Sequence, residues 1–193
     1  WQESAQLEGK SGRIYARLRA LQPEAELLPP APSPQPFHYR TKVEFSFLGE
    51  RLGYHRRGCF DRAVDVEHCW IAPPAHRALL ALTGAWQRRH GLCGWNPRRM
   101  EGDLRYLMVR QANPGQQWLA VLVTRSGLAP DLVEDWRARV CQELDPQGLI
   151  WVEQSSTAGA IVPEHEHLLW GKNEIIQPLG HLEFRLGWRS FFQ

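Results

Sequence analysis

The chain has 193 residues, with 23 Lys and Arg against 21 Asp and Glu and a formal net charge of +2. That length buries a real core and fits one domain, while so small a charge gives no global argument for nucleic acid. No apolar run approaches the roughly 18 residues of a membrane span, and the opening residues are not a signal peptide, so a soluble, cytoplasmic, monomeric protein is the expectation.

The basic set is unusual in kind, with 20 Arg and only 3 Lys, at Lys10, Lys42 and Lys172. Guanidinium forks bind phosphate bidentately and stack on bases, which suits RNA; a GC-rich coding bias explains the same skew and weighs more. Cys59, Cys69, Cys93 and Cys141 stand far apart with no CxxC pair, so they read as free thiols rather than a zinc knuckle or a disulfide framework.

In chain order, residues 2–21 predict a helix, with Leu7, Ile14, Leu18 and Leu21 as its apolar stripe. Six prolines between Pro23 and Pro36 then forbid a helix interior and predict a stiff connector. Val43, Phe45 and Phe47 alternate with Lys42, Glu44 and Ser46, the period of a strand with one buried face. Gly49-Glu50 turns that strand into Leu52–His55, and a basic loop at Arg56-Arg57-Gly58 leads to Val64-Asp65-Val66 and Cys69. A second helix opens at Pro73-Pro74 and runs through His90, stopped by Gly91. Strands at 104–112 and 117–125 flank Asn113-Pro114-Gly115, a hairpin signal. A third helix spans 130–144 with Val133, Trp136, Val140 and Leu144 facing inward. Further strands fall at 149–154, 167–171, 174–177 and 181–186. The fold class is therefore α+β, a mostly antiparallel sheet of hairpins with about three helices. No glycine-rich nucleotide fingerprint accompanies it.

Two stretches carry a resemblance. Tyr39-Arg40-Thr41-Lys42, Gly53-Tyr54 with Gly58, and Val64-Asp65 with Cys69 resemble the middle region of the RNA uracil-5-methyltransferases. Arg189-Ser190-Phe191-Phe192-Gln193 resembles the segment where that family's catalytic domain begins, although Gly187-Trp188 stands where the family commonly has Ser-Pro. The Leu104-Arg105 strand is similar to a family strand, and 155–171 matches only loosely.

The resemblance implies transfer of a methyl group from S-adenosylmethionine to C5 of a uridine, with ribosomal RNA favoured over transfer RNA. It implies three parts: a helix and Pro-rich connector at 1–36, a central domain at 37–186, and the start of a Rossmann-like methyltransferase domain at 187–193. Gln193 would contact S-adenosylmethionine and Phe191 would lie near the RNA. Cys69 would be the fourth ligand of a four-iron four-sulfur cluster, the other three lying upstream of Trp1; the alternative is a buried free thiol. Arg40, Lys42, Arg56 and Arg57 form the best basic cluster for a phosphate backbone, against the plainer reading of a charged hairpin edge. Arg98-Arg99 is a weaker candidate of the same sort. The family's nucleophilic cysteine and carboxylate base would follow residue 193, so no catalytic residue is assigned and the chain alone is expected to be inactive.

Two other readings stand beside this one. The first is a non-catalytic RNA-binding module of the same fold. The second is a metal-dependent hydrolase built on His165 and His167, which share a strand face in PEHEH; a polar strand edge accounts for that motif more simply.

Overall fold

The structure is a computed structural model and describes residues 3–66 and 68–191. Two compact units are present, residues 1–37 and 38–193. The first contains helix α1 (Glu3–Leu21) followed by the proline-rich segment, which forms neither helix nor strand. The stripe expected to face inward does not do so within this unit: Ile14, Leu18 and Leu21 are exposed, and no residue of α1 is buried. One contact folds the segment back, the Tyr15 hydroxyl donating to the Leu28 carbonyl at 2.5 Å.

The second unit is built on a seven-stranded sheet. Strands β1 (Lys42–Leu48), β2 (Arg51–His55), β3 (Ala63–Asp65), β4 (Leu104–Gln111), β5 (Trp118–Thr124), β6 (Gly148–Glu153) and β7 (His165–Gly171) lie in the order β3-β2-β1-β4-β5-β6-β7. Strands β8 (Glu174–Leu179) and β9 (Leu182–Gly187) form a separate antiparallel hairpin. Helices α2 (His76–Arg89) and α3 (Pro130–Leu144) complete the set. The mixture is α+β and mostly antiparallel, as the hairpin pattern predicts.

One pairing departs from that pattern. Strands β5 and β6 are parallel, Leu119 opposite Gly148 through Thr124 opposite Glu153, with α3 as the crossover between them. A parallel pair needs such a connection, and it places the helix against the sheet face. Every residue of β5 is buried, as expected for a strand covered on both sides.

The two covers differ. Helices α2 and α3 pack on the face carrying Val43, Phe45, Phe47, Leu107, Val109, Leu122 and Trp151. Trp86 and Trp136 fill the middle of that layer and are almost fully buried. Their indole N–H groups find acceptors, the Leu132 carbonyl and the Thr83 hydroxyl, each at 3.0 Å, so the large rings are buried without a stranded donor. On the other face Ile175, Leu186 and Trp188 from the hairpin region pack against Met108, Leu119, Val121, Val123, Ile150 and Val152. Gln177 fixes the hairpin there, accepting from the Asn113 N–H at 2.9 Å and donating to the Asn113 carbonyl at 2.6 Å.

The motif glycines have steric reasons. A Cβ on Gly53 would sit 1.9 Å from the Val64 carbonyl oxygen of the neighbouring strand, and Gly58 has φ +74°. Among the described residues no helix is long and apolar enough to cross a membrane.

Candidate nucleic-acid interface

Strand β1 carries its alternation into the site. Val43 and Phe45 face the helices, which leaves Lys42 and Glu44 on the opposite side of the strand. There they border a cleft of about 300 Å3 together with Arg40, Tyr54, Arg189, Ser190 and Phe191. The structure therefore brings together Arg40, Lys42 and Phe191, three residues singled out from the sequence at positions up to 151 apart.

Position 40 is set by backbone pairing. The His38 N–H donates to the Trp70 carbonyl at 2.6 Å and the Arg40 N–H to the Ile71 carbonyl at 3.1 Å. This ties the entry to β1 against the segment just after Cys69. The Cys69 sulfur in turn lies 3.5 Å from the Tyr54 hydroxyl, in hydrogen-bonding contact. Burial first, then that contact, pushes the Tyr54 phenol well above its ordinary range, so the ring stays neutral.

The other wall is the segment 188–191, held by Arg110 and by Glu166, which the sequence marks only as part of the PEHEH motif. Glu166 on β7 accepts from the Trp188 indole N–H at 2.9 Å and from the Arg189 guanidinium at 2.6 Å. Arg110 on β4, fully buried, donates to the Ser190 carbonyl. Arg110 leaves a readable trace, a charge inside a strand whose eight residues are all buried. Glu166 leaves none, because its partners lie more than twenty residues away and its neighbours His165 and His167 draw the eye to metal chemistry. Phe191 itself is 98% exposed, an open ring beside a cationic cleft.

Electrostatics in the cleft follow from partial burial. Desolvation pulls the Lys42 ammonium below its ordinary value, opposed by Glu44 and aided by Arg110. Desolvation also raises the Glu44 carboxyl, opposed by Lys42. Lys42 is half-buried and Glu44 exposed, and the cleft sets three cations, Arg40, Lys42 and Arg189, and one carboxylate, Glu44, beside the open Phe191 ring.

Arg56 and Arg57 are not part of this cleft. Arg56 lines a separate, larger one of about 890 Å3, with Arg51, Arg62 and Arg88 among acidic neighbours that include Glu50, Asp61 and Asp65. Arg98 reaches Asp61 at 2.6 Å and Arg99 reaches Glu101 at 3.4 Å, so both are ion-paired. Gln193 lies outside the described residues.

His165 and His167 fall inside β7, their rings 6.5 Å apart. His167 is occupied otherwise, stacked on Trp151 at 4.7 Å and 2.9 Å from the Glu153 carboxylate. Among the described residues no three His, Cys, Asp or Glu side chains gather as a metal-sized group. A four-iron cluster takes four thiolates. The described residues offer Cys69 alone at this site and do not make up a ligand set.

No protein-family model matches the sequence. An uncharacterized RNA methyltransferase of Caldanaerobacter subterraneus is 32% identical over 170 residues, which is 83% of this chain and 37% of that protein. The tRNA (uracil(54)-C(5))-methyltransferase of Pyrococcus abyssi is 24% identical over 188 residues, 97% of this chain and 43% of that protein. The crystal structure of the P. abyssi tRNA (uracil-54, C5)-methyltransferase in complex with S-adenosyl-L-homocysteine superposes with a TM-score of 0.75 at 23% identity, covering 100% of this chain and 44% of that one. The α+β sheet with its cationic cleft is thus a domain of the RNA methyltransferase class. Within that class, the chain belongs to the RNA uracil-5-methyltransferase family. It spans about two fifths of the length of the relatives it matches.

Proposed function

We propose that this chain is the RNA-presenting middle part of an S-adenosylmethionine-dependent RNA uracil-5-methyltransferase. The observation that carries the reading is the convergence of Arg40, Lys42 and Phe191 on one cleft. In this reading the guanidinium and the ammonium hold a backbone phosphate, and the exposed Phe191 ring stacks a splayed base. Gln193, two residues on, contacts S-adenosylmethionine. Arg56 and Arg57 extend the cationic track along the RNA.

The chemistry of the whole protein would be covalent. A cysteine thiolate adds to C6 of the uracil and makes C5 nucleophilic. C5 takes the methyl group from the sulfonium of S-adenosylmethionine, a base removes the C5 proton, and the thiolate leaves. No residue of this chain is assigned to those steps. The contribution here is binding and orientation, which lowers the entropic part of the barrier.

Ribosomal RNA is the proposed substrate, on the reading of Cys69 as one thiolate ligand of an iron–sulfur cluster whose other ligands lie outside the described residues. Transfer RNA is the second reading, favoured by the names of the Pyrococcus relatives. Methyl transfer by the full-length protein to ribosomal and transfer RNA transcripts, side by side, separates the two. Label recovered as 5-methyluridine in one transcript names the substrate. No label in either, with the cofactor bound, leaves a non-catalytic RNA-binding module. Iron and sulfide in the purified full-length protein, lost in Cys69→Ser, are expected; iron retained in that variant removes Cys69 from the ligand set.

A further inference from the structure

A third cleft, of about 430 Å3, opens where the end of the β1–β2 hairpin meets the loops that carry Phe60, Trp95 and Thr157. That volume is in the range of small-ligand sites, roughly 300–1,000 Å3. We propose that this cleft takes one unstacked base of the RNA, apart from the base held beside Phe191. The inference rests on the RNA reading above.

The lining has the chemistry of a base pocket. Phe60 is 65% exposed and so presents an open ring at the surface. Trp95 lies deeper, half-buried, and the Arg105 guanidinium covers its ring at 3.7 Å from the centroid. Arg105 is 2% exposed and is fixed by donating to the Ser156 carbonyl at 3.1 Å and the Ala158 carbonyl at 2.7 Å. Its Nε–H is buried with no hydrogen-bond partner among the described residues. That N–H is closed to solvent, so Arg105 serves the cleft as a fixed cationic plate on Trp95 rather than as a donor to a bound base. Ser46 and His55, 3.0 Å apart and hydrogen-bonded, add polar groups to the same cleft. Aromatic rings with a few fixed polar groups are what single-strand binders use to hold splayed bases.

Charge favours a polyanion over a neutral small molecule. Phe60 sits in the loop between β2 and β3 that also carries Arg56 and Arg57, and among the described residues neither arginine has an ion-pair partner. A strand crossing that loop would have its phosphates met by Arg56 and Arg57 and a base turned down onto Phe60. This gives the two arginines outside the first cleft a place on the same RNA.

The test is binding of a short single-stranded RNA carrying 4-thiouridine to the full-length protein, with photocrosslinks mapped by mass spectrometry and affinity measured across salt. Phe60→Ala changes only an exposed ring, so the fold is retained. Crosslinks within 55–62 or 92–98 are expected in the unaltered protein, and Phe60→Ala should weaken binding about 5- to 10-fold through lost stacking. Its salt slope should stay unchanged, whereas Arg56→Ala/Arg57→Ala should flatten the slope. If Arg40→Ala/Lys42→Ala weakens binding while Phe60→Ala leaves affinity and crosslinks untouched, the base cleft is overturned and the RNA reading stands. If the unaltered protein does not bind the RNA, both fall together.

Discussion

The two faces of the seven-stranded sheet are covered in different ways. Helices α2 and α3 seal one face with a continuous apolar layer centred on Trp86 and Trp136. The hairpin β8–β9 covers only part of the other, over β4, β5 and β6. Where that cover stops, the strand residues are polar: Lys42, half-buried, Glu44, exposed, and Ser46, buried behind the loops at the hairpin end, all on β1. Both clefts proposed to meet RNA draw on this uncovered stretch. One face gives stability, and the incomplete cover of the other gives half-desolvated charge and open rings.

The largest effects should come from the sealed face. Trp136→Ala removes a fully buried ring and leaves the Thr83 hydroxyl without its donor, and should cost about 3–5 kcal/mol. Leu182→Ala on β9, where the side chain is 50% exposed, should stay within about 0.5 kcal/mol. Denaturant midpoints of both variants check the contrast, and equal losses would break it.

Next in size is Arg40→Ala/Lys42→Ala. Loss of the one phosphate that the two cations hold should reduce the slope of log affinity against log salt by about 0.7 for a single strand. Because the substitution sits on the open face, the denaturant midpoint should barely move. Titration at several salt concentrations reads the first outcome and an unfolding curve the second. An unchanged slope would return the two residues to the status of a charged strand edge.

The sealed face was also the more legible one. The residues Pro130 through Leu144 announce α3 by a helix-compatible proline and the spacing of Val133, Trp136 and Val140, and the helix runs over that span. Strands β4 and β5 likewise follow from apolar runs on either side of Asn113-Pro114-Gly115. Burial patterns of that kind are local. Which strand lies beside β5 is not local, and a run buried on both faces carries no period to reveal its partner; the parallel neighbour β6 had to be seen. On the open face, Arg40 and Phe191 were recognisable as residue types, but their meeting depends on Glu166 and Arg110 gripping 188–190 from two different strands. The stripe of α1 shows the converse, a helix period that is present without burial.

Arg110→Met probes that grip. Removing Arg110 alone strands the buried groups it bonds, so global stability should fall by about 1–3 kcal/mol. The bond to the Ser190 carbonyl is lost, and the chain around Arg189 should open more often. Faster tryptic cleavage after Arg189, with cleavage in the core strands unaltered, is the expected outcome. Resistance equal to the unaltered protein would mean that Glu166 holds the segment by itself.

The smallest effect is a pH dependence in the first cleft. Burial raises the Glu44 carboxyl above its ordinary value of 4.5, with Lys42 opposing. A carboxyl whose folded value is raised binds its proton more tightly in the fold than in the unfolded chain. Its contribution is therefore fully present below the unfolded value and is lost as pH rises through the folded one. Glu44→Gln removes that titration. In the window just above pH 4.5, the unaltered protein should lose stability relative to Glu44→Gln as pH rises, and the two curves should run parallel at higher pH. At neutral pH Glu44→Gln should bind RNA more tightly than the unaltered protein, because among the described residues Glu44 is the one carboxylate lining the cleft with Arg40 and Lys42. An affinity unchanged in Glu44→Gln would put the bound phosphate elsewhere than between those two cations.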